Sequence, residues 1–138
     1  EMAQQNQKRM AVFKDISFQY HDFRASAFPE AVDAAYLIDV IEHVYEAEED
    51  DFLSHITASL KSNGVCLVGT PNIHAEQYAS KNARKAHVNL KSNASLKRLC
   101  DRYFENVFMF SMNDEVVHTG YSPMAHFLWA LCVTPKKS

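Results

Sequence analysis

Glycine is scarce in this sequence, and its few copies stand apart. The 138 residues contain three, Gly64, Gly69 and Gly120, which excludes a glycine-rich loop of the kind that cradles phosphates. Cysteine is equally sparse: Cys66, Cys100 and Cys132 are odd in number and widely spaced, with no zinc-type pattern and no Cys-x-x-Cys pair. Each lies among apolar neighbours, so buried free thiols in a reducing compartment are expected, and with them a cytoplasmic location. Long apolar runs are missing too. The longest, residues 34–38 and 127–133, fall far short of the ~20 residues of a membrane span, and the polar residues 1–10 give no secretory signal. Nor does one sign of charge dominate. Lys plus Arg number 14 against 17 Asp plus Glu, a net charge of −3, so no basic field marks nucleic acid or an anionic membrane as a partner. No Ser-His-Asp nucleophile elbow is present.

The length fits one domain with a core of its own. Residues 16–22 (ISFQYHD) set Ile16, Phe18 and Tyr20 against Ser17, Gln19 and His21, the period of two of a half-buried strand. Residues 34–39 and 65–69 read as fully buried strands, the second preceded by the turn signal Ser62-Asn63-Gly64. Between them Phe52, Leu53, Ile56 and Leu60 keep helical spacing after an acidic start at residues 46–51, where negative charge suits a helix amino end. Leu96, Leu99, Cys100, Tyr103 and Phe104 predict a second amphipathic helix over residues 94–104, capped by Ser92 or Asn93. Residues 107–110 and 125–133 predict two closing strands, separated by a polar loop, and residues 2–10 a leading helix. Strands alternating with helices predict an α/β fold, a mostly parallel sheet covered on both faces.

Two segments carry a resemblance. YLIDVIEHV (residues 36–44) followed by LKSNGVCLVGTPN (residues 60–72) resembles the fourth and fifth strands of class I S-adenosylmethionine-dependent methyltransferases, with the ubiquinone-biosynthesis O-methyltransferases as the nearest subgroup. The resemblance implies an incomplete Rossmann-like methyltransferase fold with an antiparallel C-terminal strand. The family's first strand and glycine-rich turn have no counterpart here. A sheet without that strand exposes a ladder edge, which invites pairing. Either the chain is a fragment of a longer enzyme, the favoured reading, or a second copy covers the edge in a homodimer.

The resemblance also implies roles. S-adenosylmethionine is the cofactor, and a small molecule bearing a hydroxyl or similar heteroatom is the methyl acceptor. Glu1 stands 21 residues before Asp22, about the separation between the family's ribose acid and its adenine acid. Phe23 offers a stacking face or a core side chain, and Asp39 would line the methionine end of the cofactor. Asp39, Glu42 and His43 would share one face if the chain turned helical at Asp39. With His87 they could hold a divalent cation, Mn²⁺ or Zn²⁺ in preference to Mg²⁺. His43 or His87 could instead serve as a general base without metal. The bland alternative is that Glu42 and His43 cap and solvate a first turn. Two rivals for the whole chain are a non-catalytic, methyltransferase-like interaction module and an NAD-type dehydrogenase, in which Glu1 would hold a nicotinamide ribose.

Overall fold

The computed structural model describes residues 1–136. In chain order the elements are α1 (Met2–Arg9), β1 (Val32–Ile38), α2 (Glu49–Ala58), β2 (Leu60–Pro71), α3 (Lys81–Ala86), α4 (Asn93–Cys100), β3 (Phe104–Asn113), β4 (Val116–His118) and β5 (Phe127–Pro135). The strands form one sheet in the order β1-β2-β5-β3-β4. β1 and β2 run parallel, while β5 is antiparallel to both β2 and β3. Thus β1, β2 and β3 point one way, and the C-terminal strand enters between them in the opposite sense. β5 can do so because its alternate residues Leu128, Ala130 and Cys132 are fully buried, the period of two that a sheet face requires.

The core lies on one face of this sheet. Leu37, Cys66, Val68, Ala130 and Cys132 from the strands meet Phe52, Leu53 and Ile56 of α2 and Leu96, Leu99 and Cys100 of α4. Ser92 caps α4 as its side chain accepts from the Ser95 amide, with Ser95 returning the bond to the Ser92 amide, which satisfies two amides at the helix start. The three cysteines are free and buried. Burial pushes the Cys66 thiol up to about 12, and hydrogen bonding to Cys100 together with burial raises Cys132, so both are held as inert thiols. Among the described residues no helix is long and apolar enough to cross a membrane.

Five expectations need correction. The strand over residues 34–39 is not fully buried: in β1 only Leu37 is, because the other face of this edge strand is uncovered. Residues 16–22 form no strand; the Phe18 amide donates to Gln7 Oε1, and Gln7 Nε2 donates to the Ile16 carbonyl. Alternation gives a segment two faces, but a ladder also needs a partner strand, and none of the described strands supplies one. The turn signal at residues 62–64 lies inside β2, as an irregularity where Leu60 pairs with Val32 and Val65 with Ala34. The second amphipathic helix stops at Cys100, and Phe104 opens β3 opposite Pro135. The sheet is covered on one face only. Its other face carries Tyr36, Leu67, Leu131 and Phe108 in one cross-strand row, with Tyr36 74% and Phe108 54% exposed. Beside that row Trp129 lies over Gly69, where an added Cβ would come within 2.5 Å of the indole ring. Only glycine fits there.

Candidate functional site

β1 ends at Ile38, and Asp39 then adopts a left-handed backbone with φ of 53°, a conformation that costs most non-glycine residues roughly 1–2 kcal/mol. Its amide donates to the Gly69 carbonyl of β2 at 3.1 Å, so the turn is anchored while it reverses. A single 3-10 turn, Ile41–His43, follows. This geometry divides the trio that a helix would have placed together. Asp39 is exposed on one side, whereas Glu42 points inward and is wholly buried.

Around the buried Glu42 is a three-residue cluster, which the exposed His43 joins from the outward side. Ligand atoms of Glu42, His43 and His87 all lie within 4.8 Å of one another; Asp39, expected as a fourth ligand, is not part of it. Thr70 Oγ1 donates to Glu42 Oε2 at 3.0 Å, but Glu42 Oε1 is buried with no hydrogen-bond partner, as is His87 Nδ1. His43 Nε2 stands 3.8 Å from that unpartnered oxygen. Its Nδ1 lies 2.9 Å from the Ala86 carbonyl oxygen, which can only accept, so Nδ1 carries the proton and Nε2 faces Glu42 with its lone pair when the ring is neutral. A buried carboxylate oxygen without a donor is costly. Facing two imidazoles, it is the arrangement that a divalent cation or a proton relieves.

His87 reaches this cluster because the chain after α3 is bound to Glu42. The amides of Val88 and Asn89 donate to the Glu42 carbonyl at 2.9 and 3.1 Å. Behind them a buried polar knot fixes the segment: Lys91 Nζ donates to Glu49 Oε2 at 2.7 Å and to Asn89 Oδ1 at 2.6 Å. Asn89 Nδ2 in turn donates to Glu49 Oε2 and to the Val44 carbonyl. Asn89, Lys91 and Glu49 were not legible as part of the site. Only Thr70, in the T-P-N strand ending, carried a positional signal.

The outward side is a groove of about 470 Å³ lined by Asp22, Phe23, Leu37, Asp39, Val40 and His43 among others, within the size range of small-ligand sites. The Arg24 guanidinium, hydrogen-bonded to Asp22 through Nε and Nη2, holds the Asp22 carboxyl down at about 2. Phe23 packs against the core and meets Phe52 edge to face at 6.4 Å while forming part of the groove wall, so both readings of it hold. Glu1 does not reach this groove; it stands at the amino end of α1. An ionised acid paired with Arg24, an aromatic ring and aliphatic side chains thus line one groove. For a cation, one carboxylate and two imidazole nitrogens suit Mn²⁺, Fe²⁺ or Zn²⁺ better than Mg²⁺.

No family model matches the chain, and no curated protein matches it in sequence. Solved structures do resemble it. The N-methyltransferase NodS from Bradyrhizobium japonicum WM9 superimposes with a TM-score of 0.61 at 15% identity, over 94% of this chain and 66% of NodS. NodS has also been solved in complex with S-adenosyl-L-homocysteine. A possible histamine N-methyltransferase from Thermotoga maritima gives a TM-score of 0.70 at 18% identity, over 97% of this chain and 70% of that one. A SAM-dependent methyltransferase from Archaeoglobus fulgidus gives 0.64 at 12% identity, over 92% and 72%. This chain therefore spans about two thirds of the length of these structures, and what it shares with them is the fold of S-adenosylmethionine-dependent methyltransferases.

Proposed function

We propose that this chain forms the adenine-binding and acceptor-activating part of an S-adenosylmethionine-dependent methyltransferase that acts on a hydroxyl or similar heteroatom of a small molecule. The observation that carries the reading is the unpartnered, buried Glu42 Oε1 facing His43 Nε2 at 3.8 Å, set just past the carboxyl end of parallel strand β1, where α/β sheets gather their ligands. The fold shared with the methyltransferases and the acid-aromatic groove support it. Asp22 and Phe23 would hold the adenine and Asp39 the methionine end; Glu42, His43 and His87 would hold a divalent cation.

When bound, S-adenosylmethionine supplies the methyl carbon, and a divalent cation supplies a positive charge that lowers the pKa of an acceptor hydroxyl. The residues of the chain position and deprotonate. His43 has only Nε2 to offer, because Nδ1 already donates to Ala86: it would ligate the cation there, or, with no cation bound, accept the acceptor's proton there with Glu42 Oε1 stabilising the imidazolium. Thr70 holds one side of the Glu42 carboxylate in place. Most of the acceleration in such a displacement comes from alignment, with proton removal a smaller share. The free edge of β1 would be covered by further chain or by a second copy of this one.

A second reading, a non-catalytic module, is favoured by one observation: both Asp22 carboxylate oxygens are already bonded to Arg24. Calorimetric titration with S-adenosylhomocysteine, with and without Mn²⁺, separates the two. Saturable binding that weakens in Asp22→Ala is expected. No binding under either condition would leave the interaction module standing.

A further inference from the structure

On the far side of His87 from the adenine groove is a smaller cavity of about 270 Å³, between the end of β2 and the segment before β5. His87 belongs both to this cavity and to the Glu42-His43-His87 cluster, so a molecule seated in it lies against the cluster. Pro71, Ala75, Ala79 and Leu90 make its aliphatic walls. Tyr78 and His126, whose ring centroids stand 6.3 Å apart at 56°, form its aromatic side. The volume is below that of ordinary drug-sized pockets, roughly 300–1,000 Å³, and matches a single substituted ring.

The polar groups left for a ligand are the Glu76 carboxylate, the Tyr78 hydroxyl and the imidazoles of His87 and His126. Asn72 lines the cavity but is committed to the backbone: its Nδ2 donates to the carbonyls of Ser122 and Ala125, and its Oδ1 accepts from the His74 amide. Glu76 also lines it, and its carboxylate makes no ion pair among the described residues. No lysine or arginine lines the cavity; Lys81, Arg84 and Lys85 of α3 stand outside it. An anion entering there would meet a free carboxylate with no lysine or arginine to offset it. An ammonium group would meet that carboxylate and the Tyr78 ring, both of which attract it.

We propose that this cavity binds a single-ring ligand bearing an ammonium group, with Glu76 as the residue that selects its charge. The proposal deepens the methyltransferase reading, on which it rests for the statement that the ligand is the methyl acceptor. It excludes nucleotides and other phosphorylated or carboxylated acceptors from this site.

Three probes of one ring size test it: tyramine, 4-ethylphenol and 4-hydroxyphenylacetate, titrated into the full chain with S-adenosylhomocysteine present and absent. Tyramine is expected to bind about fivefold tighter than the neutral phenol, the scale of a partly exposed ion pair, and the acid weakest. Glu76→Gln is expected to bring tyramine to the affinity of 4-ethylphenol while leaving S-adenosylhomocysteine binding unchanged, which reports that the variant is folded. Equal or tighter binding of the acid, or a ranking untouched by Glu76→Gln, overturns the proposal. So does the absence of binding by all three at millimolar concentration where S-adenosylhomocysteine binds, and the methyltransferase reading then survives alone. Glu76-dependent tyramine binding in a chain that takes neither S-adenosylhomocysteine nor Mn²⁺ upholds the site and removes the methyltransferase reading.

Discussion

Glu42→Gln is expected to lower Mn²⁺ affinity by more than about 100-fold, since even partners that only orient a metal ligand are worth 10–100-fold. The substitution keeps the shape of the side chain and its bond with Thr70, and it removes the negative charge that the cluster needs. S-adenosylhomocysteine binding should be unchanged, because Asp22, Phe23 and Asp39 line a groove that Glu42 does not enter. The metal-free chain should be at least as stable as the parent. A buried carboxylate with one oxygen unpartnered gives way to a neutral amide, and neutral groups are cheaper to bury than charges. Parallel calorimetry and thermal melts check all three points. Unaltered Mn²⁺ binding in the variant, or none in the parent, would remove the cluster from consideration as a cation site.

Lys91→Met is expected to have the largest effect on stability. Its ammonium is the buried partner of Glu49, at 2.7 Å with side chains 9% and 11% exposed, and removing one member of a buried pair strands the other, at a typical cost of 3–5 kcal/mol. Arg102 Nη2, 3.5 Å from Glu49 Oε1, softens this, so about 3 kcal/mol is expected, a fall in Tm of roughly 10 °C for a domain of this size. The double variant Lys91→Met, Glu49→Leu should regain much of the loss, because replacing both charges by apolar groups leaves neither unpaired. Denaturant unfolding of the single and double variants measures both. A loss below about 1 kcal/mol in the single variant would mean that Arg102 takes over the pair fully. Mn²⁺ affinity should also fall in Lys91→Met, since Lys91 braces Asn89, two residues from His87.

Most of the local structure could be read from the sequence, and most of what links distant segments could not. The strand before Asp39, the α4 face of Leu96, Leu99 and Cys100 and the Ser92 cap follow from periodicity and short-range bonding, which adjacent residues determine, whereas the full burial expected of that strand does not hold, since only Leu37 in it is buried. The apolar spacing extended to Tyr103 and Phe104 because a residue at i+8 of a helix can equally open the next strand. The α/β class and the antiparallel C-terminal strand were expected from the resemblance, but the place of β5 between β2 and β3 rests on its pairing with β2, whose residues lie more than fifty positions away. In the site, Glu42, His43 and His87 were singled out together and the structure brings them together. Asp39 was grouped with them on a helical turn that the chain does not make. The Lys91-Glu49 pair was invisible, because a lysine and a glutamate 42 residues apart look like two solvated surface charges until the fold buries both.

The one-sided burial of the sheet reaches into the thermodynamics of the molecule. Unfolding an ordinary chain of this length raises the heat capacity by roughly 1.7–2 kcal/mol/K, an increment that counts the apolar surface newly given to water. Here Tyr36 and Phe108, at the two ends of a row that runs through Leu67 and Leu131 across four strands, are largely wet before unfolding begins and contribute little to that increment. Scanning calorimetry of this chain should therefore give a smaller heat-capacity step and a broader melt than its length implies, and urea titration a shallower slope. Whatever comes to cover that face would sharpen the transition, a change readable before any partner is known.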